Sequence, residues 1–105
     1  MSFAGEWMTH NYDLVNRGIE GPVHMSVKAI EHGFRGTWGQ PKDPARSEMT
    51  GTVHCDGRVW EGTWVTLTHK GSFLFVLGAD EKTIHGAWCI GDEGMPQPWW
   101  GIRCR

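Results

Sequence analysis

One five-residue pattern recurs four times along the chain: Phe3-Ala-Gly5-Glu-Trp7, Phe34-Arg-Gly36-Thr-Trp38, Trp60-Glu-Gly62-Thr-Trp64 and Ile84-His-Gly86-Ala-Trp88. In each copy a bulky apolar residue, a glycine and a tryptophan alternate with mostly polar residues. That period of two belongs to a β-strand with one buried face. The motif glycines are 24 to 31 residues apart, close to the length of two strands and their turns. The motif therefore occupies every second strand of a meander. Self-similarity at such a period also marks solenoids and propellers. These units are too short to be four-stranded blades, and a closed barrel fits them better.

Turn chemistry sets the register. Two-residue connections ending in glycine are read at His32-Gly33, Asp56-Gly57 and Lys70-Gly71; Asp-Gly in particular suits a type I′ hairpin, where both central residues need positive φ. Around Asp56-Gly57, Val53 then faces Trp60, Gly51 faces Gly62 and Met49 faces Trp64. Around Lys70-Gly71, Thr66 faces Phe75 and Trp64 faces Leu77. Around His32-Gly33, Ala29 faces Gly36 and Val27 faces Trp38. Each hairpin sets the motif face against another apolar face, and a one-residue slip would set it against polar side chains.

The result is an all-β chain, an eight-stranded antiparallel up-and-down barrel in a single domain, 1–105, with no helix. The strands run over 4–12, 22–31, 34–40, 49–55, 58–69, 72–79, 83–90 and 98–104. Trp7, Met25, Val27, Phe34, Trp38, Val53, Trp60, Trp64, Phe73, Phe75, Ile84 and Trp88 point inward. Alternating strand direction places the short turns at 32–33, 56–57 and 80–83 at one end, with the N-terminus. The longer loops at 13–21, 41–48 and 91–98 share the other end, and irregular loops on a rigid scaffold tend to carry function.

Composition narrows the class. Fifteen glycines in 105 residues would suit disorder, but seven tryptophans argue for a packed chain. Ten basic against twelve acidic residues give a formal charge of −2, which speaks against a nucleic-acid surface and against a polybasic membrane patch. The longest apolar run, Phe73 to Leu77, is too short to span a bilayer. The opening MSFAGEW lacks the basic and apolar regions of a secretory leader. Three cysteines, Cys55, Cys89 and Cys104, form no CxxC pair and suit a reduced, cytoplasmic protein.

An eight-stranded meander that opens with Gly5-Glu-Trp7 at the closed end and carries Arg103 near the end of its last strand resembles the calycin-type barrels: lipocalins, fatty-acid-binding proteins and avidins. The resemblance implies that Arg103 packs over Trp7 as a cation–π plug in the barrel floor, and it implies small-molecule binding. The chain departs from that group in being shorter, in carrying four such motifs and in showing no helix after the last strand.

A barrel of eight strands is just wide enough to be filled by side chains or to hold one small ligand. Toward the loop end, Met25, Trp38, Trp64, Phe75 and Trp88 are the candidate pocket walls, with Asn11, Gln40, Thr66 and Thr68 as inward polar groups. Such a site suits an apolar or aromatic guest, flat or cyclic, with no cofactor. A filled, structural barrel is the alternative. No catalytic signature such as GxSxG, a P-loop, GxGxxG or HExxH is present. An isomerase-, cyclase- or lyase-like barrel using acid–base chemistry would draw on Asp13, Glu48 or His10 at the rim.

The outer face adds a second candidate surface. Val65 opposite Val76 and Leu67 opposite Leu74, extended by Ala87, Trp100 and Ile102, form an apolar patch of the kind that marks an interface, most simply that of a two-fold homodimer. The outward residues of strands two to four, His24, Lys28, Arg35, Thr37, Thr50 and Thr52, are polar. The outward histidines His24, His54, His69 and His85 do not converge as metal ligands would. With Trp99 opposite Ile90, Cys104 faces His85 rather than Cys89, so free thiols are expected. Glu31 falls on the inward face opposite Phe34, but as a strand-end residue it is read as reaching solvent. The loop from Pro41 to Glu48, with Asp92-Glu93, is read as a solvated rim, with a polar head group as the alternative.

Overall fold

The computed structural model describes residues 2–14, 17–39, 47–91 and 94–104. Eight strands follow one another in chain order: β1 (Gly5–Asp13), β2 (Gly18–Ile30), β3 (Gly33–Trp38), β4 (Ser47–His54), β5 (Val59–Val65), β6 (Lys70–Leu77), β7 (Thr83–Ile90) and β8 (Gln97–Arg103). Each pairs antiparallel with the next, and β8 returns to β1 to close the barrel. Closure leaves no sheet edge to template aggregation. All twelve residues read as inward lie in the core cluster or pack against it, together with Phe3, Met49, Leu77 and Trp99.

The hairpin around Asp56-Gly57 has the register its sequence implies, with Val53 opposite Trp60, Gly51 opposite Gly62 and Met49 opposite Trp64. The loop itself is wider: Cys55, Asp56 and Gly57 all have positive φ. The other two hairpins are displaced. Between β2 and β3 the turn is Glu31-His32, so Ala29 meets Phe34 and Val27 meets Gly36. Glu31 is exposed in that turn, within 3.5 Å of His32. Between β5 and β6 the turn falls at Thr66–His69, so Trp64 meets Gly71 instead of Leu77, and Trp60 meets Phe75. The Thr66 hydroxyl accepts from the backbone N–H groups of Thr68 and His69, and the Thr66 N–H donates to the His69 carbonyl. A threonine-capped turn of this kind competes well with an ordinary hairpin loop.

The displaced glycines explain both shifts. Gly33 and Gly71 are strand residues used for close approach. A Cβ on Gly33 would come within 2.0 Å of the Gly51 carbonyl oxygen, and one on Gly71 within 1.8 Å of the Cys89 carbonyl oxygen and 2.8 Å of the Trp64 ring. Glycine at such positions lets strands bend sharply at a barrel corner. Both shifts move partners by an even number of residues, so every side chain stays on its own face.

The closed half of the barrel is filled. Trp60 sits at its centre, with Phe3 at 5.6 Å, Phe73 at 4.8 Å and Phe75 at 6.0 Å between ring centroids. Met25, Met49, Leu77 and Ile84 are buried around them. Edge-to-face and offset ring pairs of this kind add about 1 kcal/mol each beyond their buried area.

Candidate functional site

At the loop end the filling stops. A pocket of about 170 Å³ opens there, walled by Trp38, Trp64, Trp88 and Trp99 and completed by Val23, Asn11 and Glu20. The four indoles form a chain of near-perpendicular pairs: Trp99 and Trp38 at 5.4 Å and 67°, Trp38 and Trp64 at 6.3 Å and 78°, Trp64 and Trp88 at 5.9 Å and 74°. Rings set this way make walls of a box rather than a stack. Three of them are the tryptophans of the second, third and fourth motif copies, carried on β3, β5 and β7; Trp7 of the first copy lies on the floor instead.

The walls are held in place from behind. The Trp64 ring lies over Gly71, where the absence of a Cβ makes room for it, and its Nε1–H donates to the carbonyls of Ser72 and Cys89, both at 3.0 Å. Trp99 packs on Phe75 at 4.8 Å. The Nε1 atoms of Trp60 and Trp88 are buried with no acceptor among the described residues, so packing alone holds those rings. A buried donor left unpaired costs on the order of 1–3 kcal/mol, which the surrounding aromatic contacts must outweigh.

The polar part of the wall depends on a bulge. Thr9 pairs with Val23, yet Asn11 pairs with Glu20, so β2 carries one extra residue between these pairs. Gly21 and Pro22 occupy the bulge. Gly21 has φ +126°, and a Cβ there would meet the Thr9 carbonyl oxygen at 2.7 Å. Proline and glycine are tolerated in a strand at such an irregularity. The extra residue reverses the alternation beyond it, turning Glu20 toward the pocket beside Asn11.

The structure brings together Asn11, Trp38, Trp64 and Trp88 of the residues proposed from sequence, and adds Glu20, Val23 and Trp99. Four others lie elsewhere. Met25 and Phe75 have no exposed surface and belong to the packed core beneath the pocket; Phe75 is drawn down by the β5–β6 register. Thr66 caps the β5–β6 turn, and Thr68 is exposed there. Gln40 lies outside the described residues. Trp99 follows from the same alternation that sends Trp100 outward.

Neither a family model nor a curated protein matches the chain. Its fold is similar to that of a redesigned β-barrel. That solved structure aligns over 100% of both chains with a TM-score of 0.69 at 11% sequence identity, a likeness of architecture alone.

The opposite end is plugged. The Arg103 guanidinium lies 4.2 Å from the centroid of the Trp7 ring. It donates to the carbonyls of Ser2, Ala4 and Glu81 at 2.7–2.8 Å, while the Trp7 Nε1–H donates to the Phe3 carbonyl at 2.9 Å. The N-terminal segment, the turn before β7 and the last strand are thus tied across the floor, and the mouth is the open end.

The rim acid–base candidates do not meet at the pocket. His10 points outward and stacks on Trp100 at 6.0 Å. Glu48 is paired with Arg35 on the outer face, and Asp13 is not on the wall. Glu20 is the one ionisable side chain among the described residues that line the pocket. Among the described residues no group of three histidine, cysteine, aspartate or glutamate side chains is placed to hold a metal ion.

The outer patch is rearranged by the same register. Val65 pairs with Lys70 and Glu48 rather than Val76, and Leu67 lies in the turn, away from Leu74. What remains contiguous is a strip on β6–β8: Leu74 beside Ala87 and then Pro98, Val76 in line with His85 and Trp100, and Ile102 beside Met8. Cys104 lies past the end of β8, its N–H donating to the Glu6 carbonyl; all three cysteines are free.

Proposed function

We propose that this chain is a small-molecule-binding β-barrel that takes an apolar or aromatic guest in its tryptophan-walled mouth. The carrying observation is the contrast between its halves: one solidly packed and plugged, the other a concave box of four braced indoles. A mostly apolar cleft with a few placed polar groups is the usual make-up of a ligand site. At about 170 Å³ it is smaller than the roughly 300–1,000 Å³ of drug-sized pockets, so the guest is small, of about one ring. The resemblance to calycin-type barrels supports the same reading through Gly5, Trp7 and the arginine over that ring. The three free thiols suit a cytoplasmic setting. An acid–base enzyme is the weaker reading, because His10 and Glu48 face outward.

Tryptophan fluorescence tests it. With a panel of small cyclic compounds, at least one is expected to give a saturable change. Trp38→Leu is expected to weaken that binding about tenfold, the worth of one aromatic wall. No saturable response from any member of the panel overturns the reading.

A second reading concerns the outer strip on β6–β8, for which we propose a homodimer. Ile102 is 60% exposed and Leu74 37% exposed within a surface that apolar neighbours extend over three strands, and such surfaces commonly meet a partner. Sedimentation at tens of micromolar is expected to show a dimer that the double change Leu74→Glu, Ile102→Glu converts to a monomer. A monomeric parent protein overturns it.

A further inference from the structure

We propose that the guest of the tryptophan box carries a positive charge, specifically an alkylated ammonium head without N–H groups, such as a quaternary ammonium. This rests on the reading of the mouth as a ligand site and names the chemical class it selects.

Three observations converge on this. First, the walls are four indoles held nearly perpendicular to their neighbours. An indole face carries negative quadrupole potential, tryptophan is the best cation–π partner, and a box of such rings is the known means of holding a methylated cation. Second, the one ionisable side chain among the described wall residues is a carboxylate, Glu20. It stands there only because the Gly21-Pro22 bulge turns it inward. Glu20 also engages a neighbour within the protein, so its contribution is that of a negative charge at the rim, shared rather than reserved. Third, the wall has few acceptors. The indoles offer only N–H donors, and that of Trp64 is already used by Ser72 and Cys89. Beyond Glu20, the side-chain acceptor is the Asn11 amide oxygen. A primary ammonium entering here would lose water from three N–H groups with too few partners to replace it. An alkylated head has no N–H to satisfy and presents an apolar skin around its charge. An anion meets the Glu20 carboxylate at the rim and is disfavoured by it. The small volume limits the guest to a compact head with a short substituent.

The test compares choline with 3,3-dimethylbutan-1-ol, which has the same shape with a neutral carbon in place of the nitrogen, by calorimetric titration of the whole protein. Choline is expected to bind at least about tenfold more tightly, a difference within the range of desolvated cation–π contacts. Glu20→Gln is expected to weaken choline by about threefold to tenfold and to flatten its salt dependence, and to weaken the alcohol by less. Because Glu20 is exposed at the rim, this variant keeps the fold, and an unchanged thermal unfolding midpoint verifies that. Equal affinities for the two compounds overturn the charge preference and leave the apolar pocket intact. Failure of both, while neutral cyclic compounds still bind, overturns it likewise. Failure of every compound, charged and neutral, overturns both this inference and the reading it rests on.

Discussion

Gly86→Ala is expected to destabilise the barrel by more than about 3 kcal/mol, or to prevent its folding. Gly86 lies between Phe75 of β6 and Trp99 of β8, at a corner where a Cβ would come within 1.7 Å of the Leu74 carbonyl oxygen and 2.9 Å of the Phe75 Cα. Those neighbours are backbone, so no rotamer change relieves the clash; β6 and β7 must separate. Overpacking against side chains costs about 1–3 kcal/mol, and the rigid case lies above that range. The sign is informative, because glycine in a strand interior is ordinarily a weakness of about 0.5–1 kcal/mol, which alanine would relieve. Gly57→Ala is the control. That glycine has open space around its missing Cβ but a φ of +82°, so the left-handed penalty of about 1–2 kcal/mol is all it should cost. Urea unfolding of the two variants separates the effects. Similar midpoints would show that Gly86 is not a closure glycine.

That distinction also marks how far the sequence could be read. For the apolar positions alternation assigns faces correctly, because a core accepts only one parity: from Trp7 to Trp88, the twelve apolar residues read as inward pack in the interior. Thr66 and Thr68, read as inward by the same count, lie instead in the β5–β6 turn. Height along the barrel was less legible. It depends on register, register was inferred from glycine, and glycine serves two purposes. Gly57 makes a turn; Gly33 and Gly71 sit in strands and let another chain segment approach. Taking the latter two for turns raised Phe75 to the mouth and joined Val65 and Leu67 to the outer strip, although the even size of each error preserved the faces. The Glu20 wall position was not readable from alternation at all. Val23, Met25 and Val27 imply that even-numbered residues of β2 face out, and only the bulge at Gly21-Pro22 reverses this. The pocket's aromatic part was thus largely legible, whereas its carboxylate was hidden in a local break of period. Trp99 needed no new principle, only the same count carried through the last strand.

Arg103→Ala is expected to cost about 3 kcal/mol, and Arg103→Lys to recover less than half of it. The guanidinium makes three hydrogen bonds to carbonyls from two separate segments, Ser2 and Ala4 on one side and Glu81 on the other, while lying over the Trp7 ring. Hydrogen bonds from a charged donor contribute about 1.5–3 kcal/mol each in favourable settings. Arg103 is only half-buried, and the freed carbonyls can take up water, which brings the sum down to the figure given. Lysine keeps the charge but not the planar fork. Its ammonium cannot reach carbonyls on opposite sides and still cover the indole, so one segment is released. Gly5 is part of the same fit, since a Cβ there would touch the guanidinium at 2.7 Å. Urea denaturation reads the stability, and near-ultraviolet circular dichroism reports the loosened Trp7. The floor and the mouth are at opposite ends, so guests that bind at the mouth should keep their affinity in Arg103→Lys at temperatures where it remains folded. A lysine variant as stable as the parent would mean that the charge alone closes the floor, and that the fork across the two segments contributes nothing.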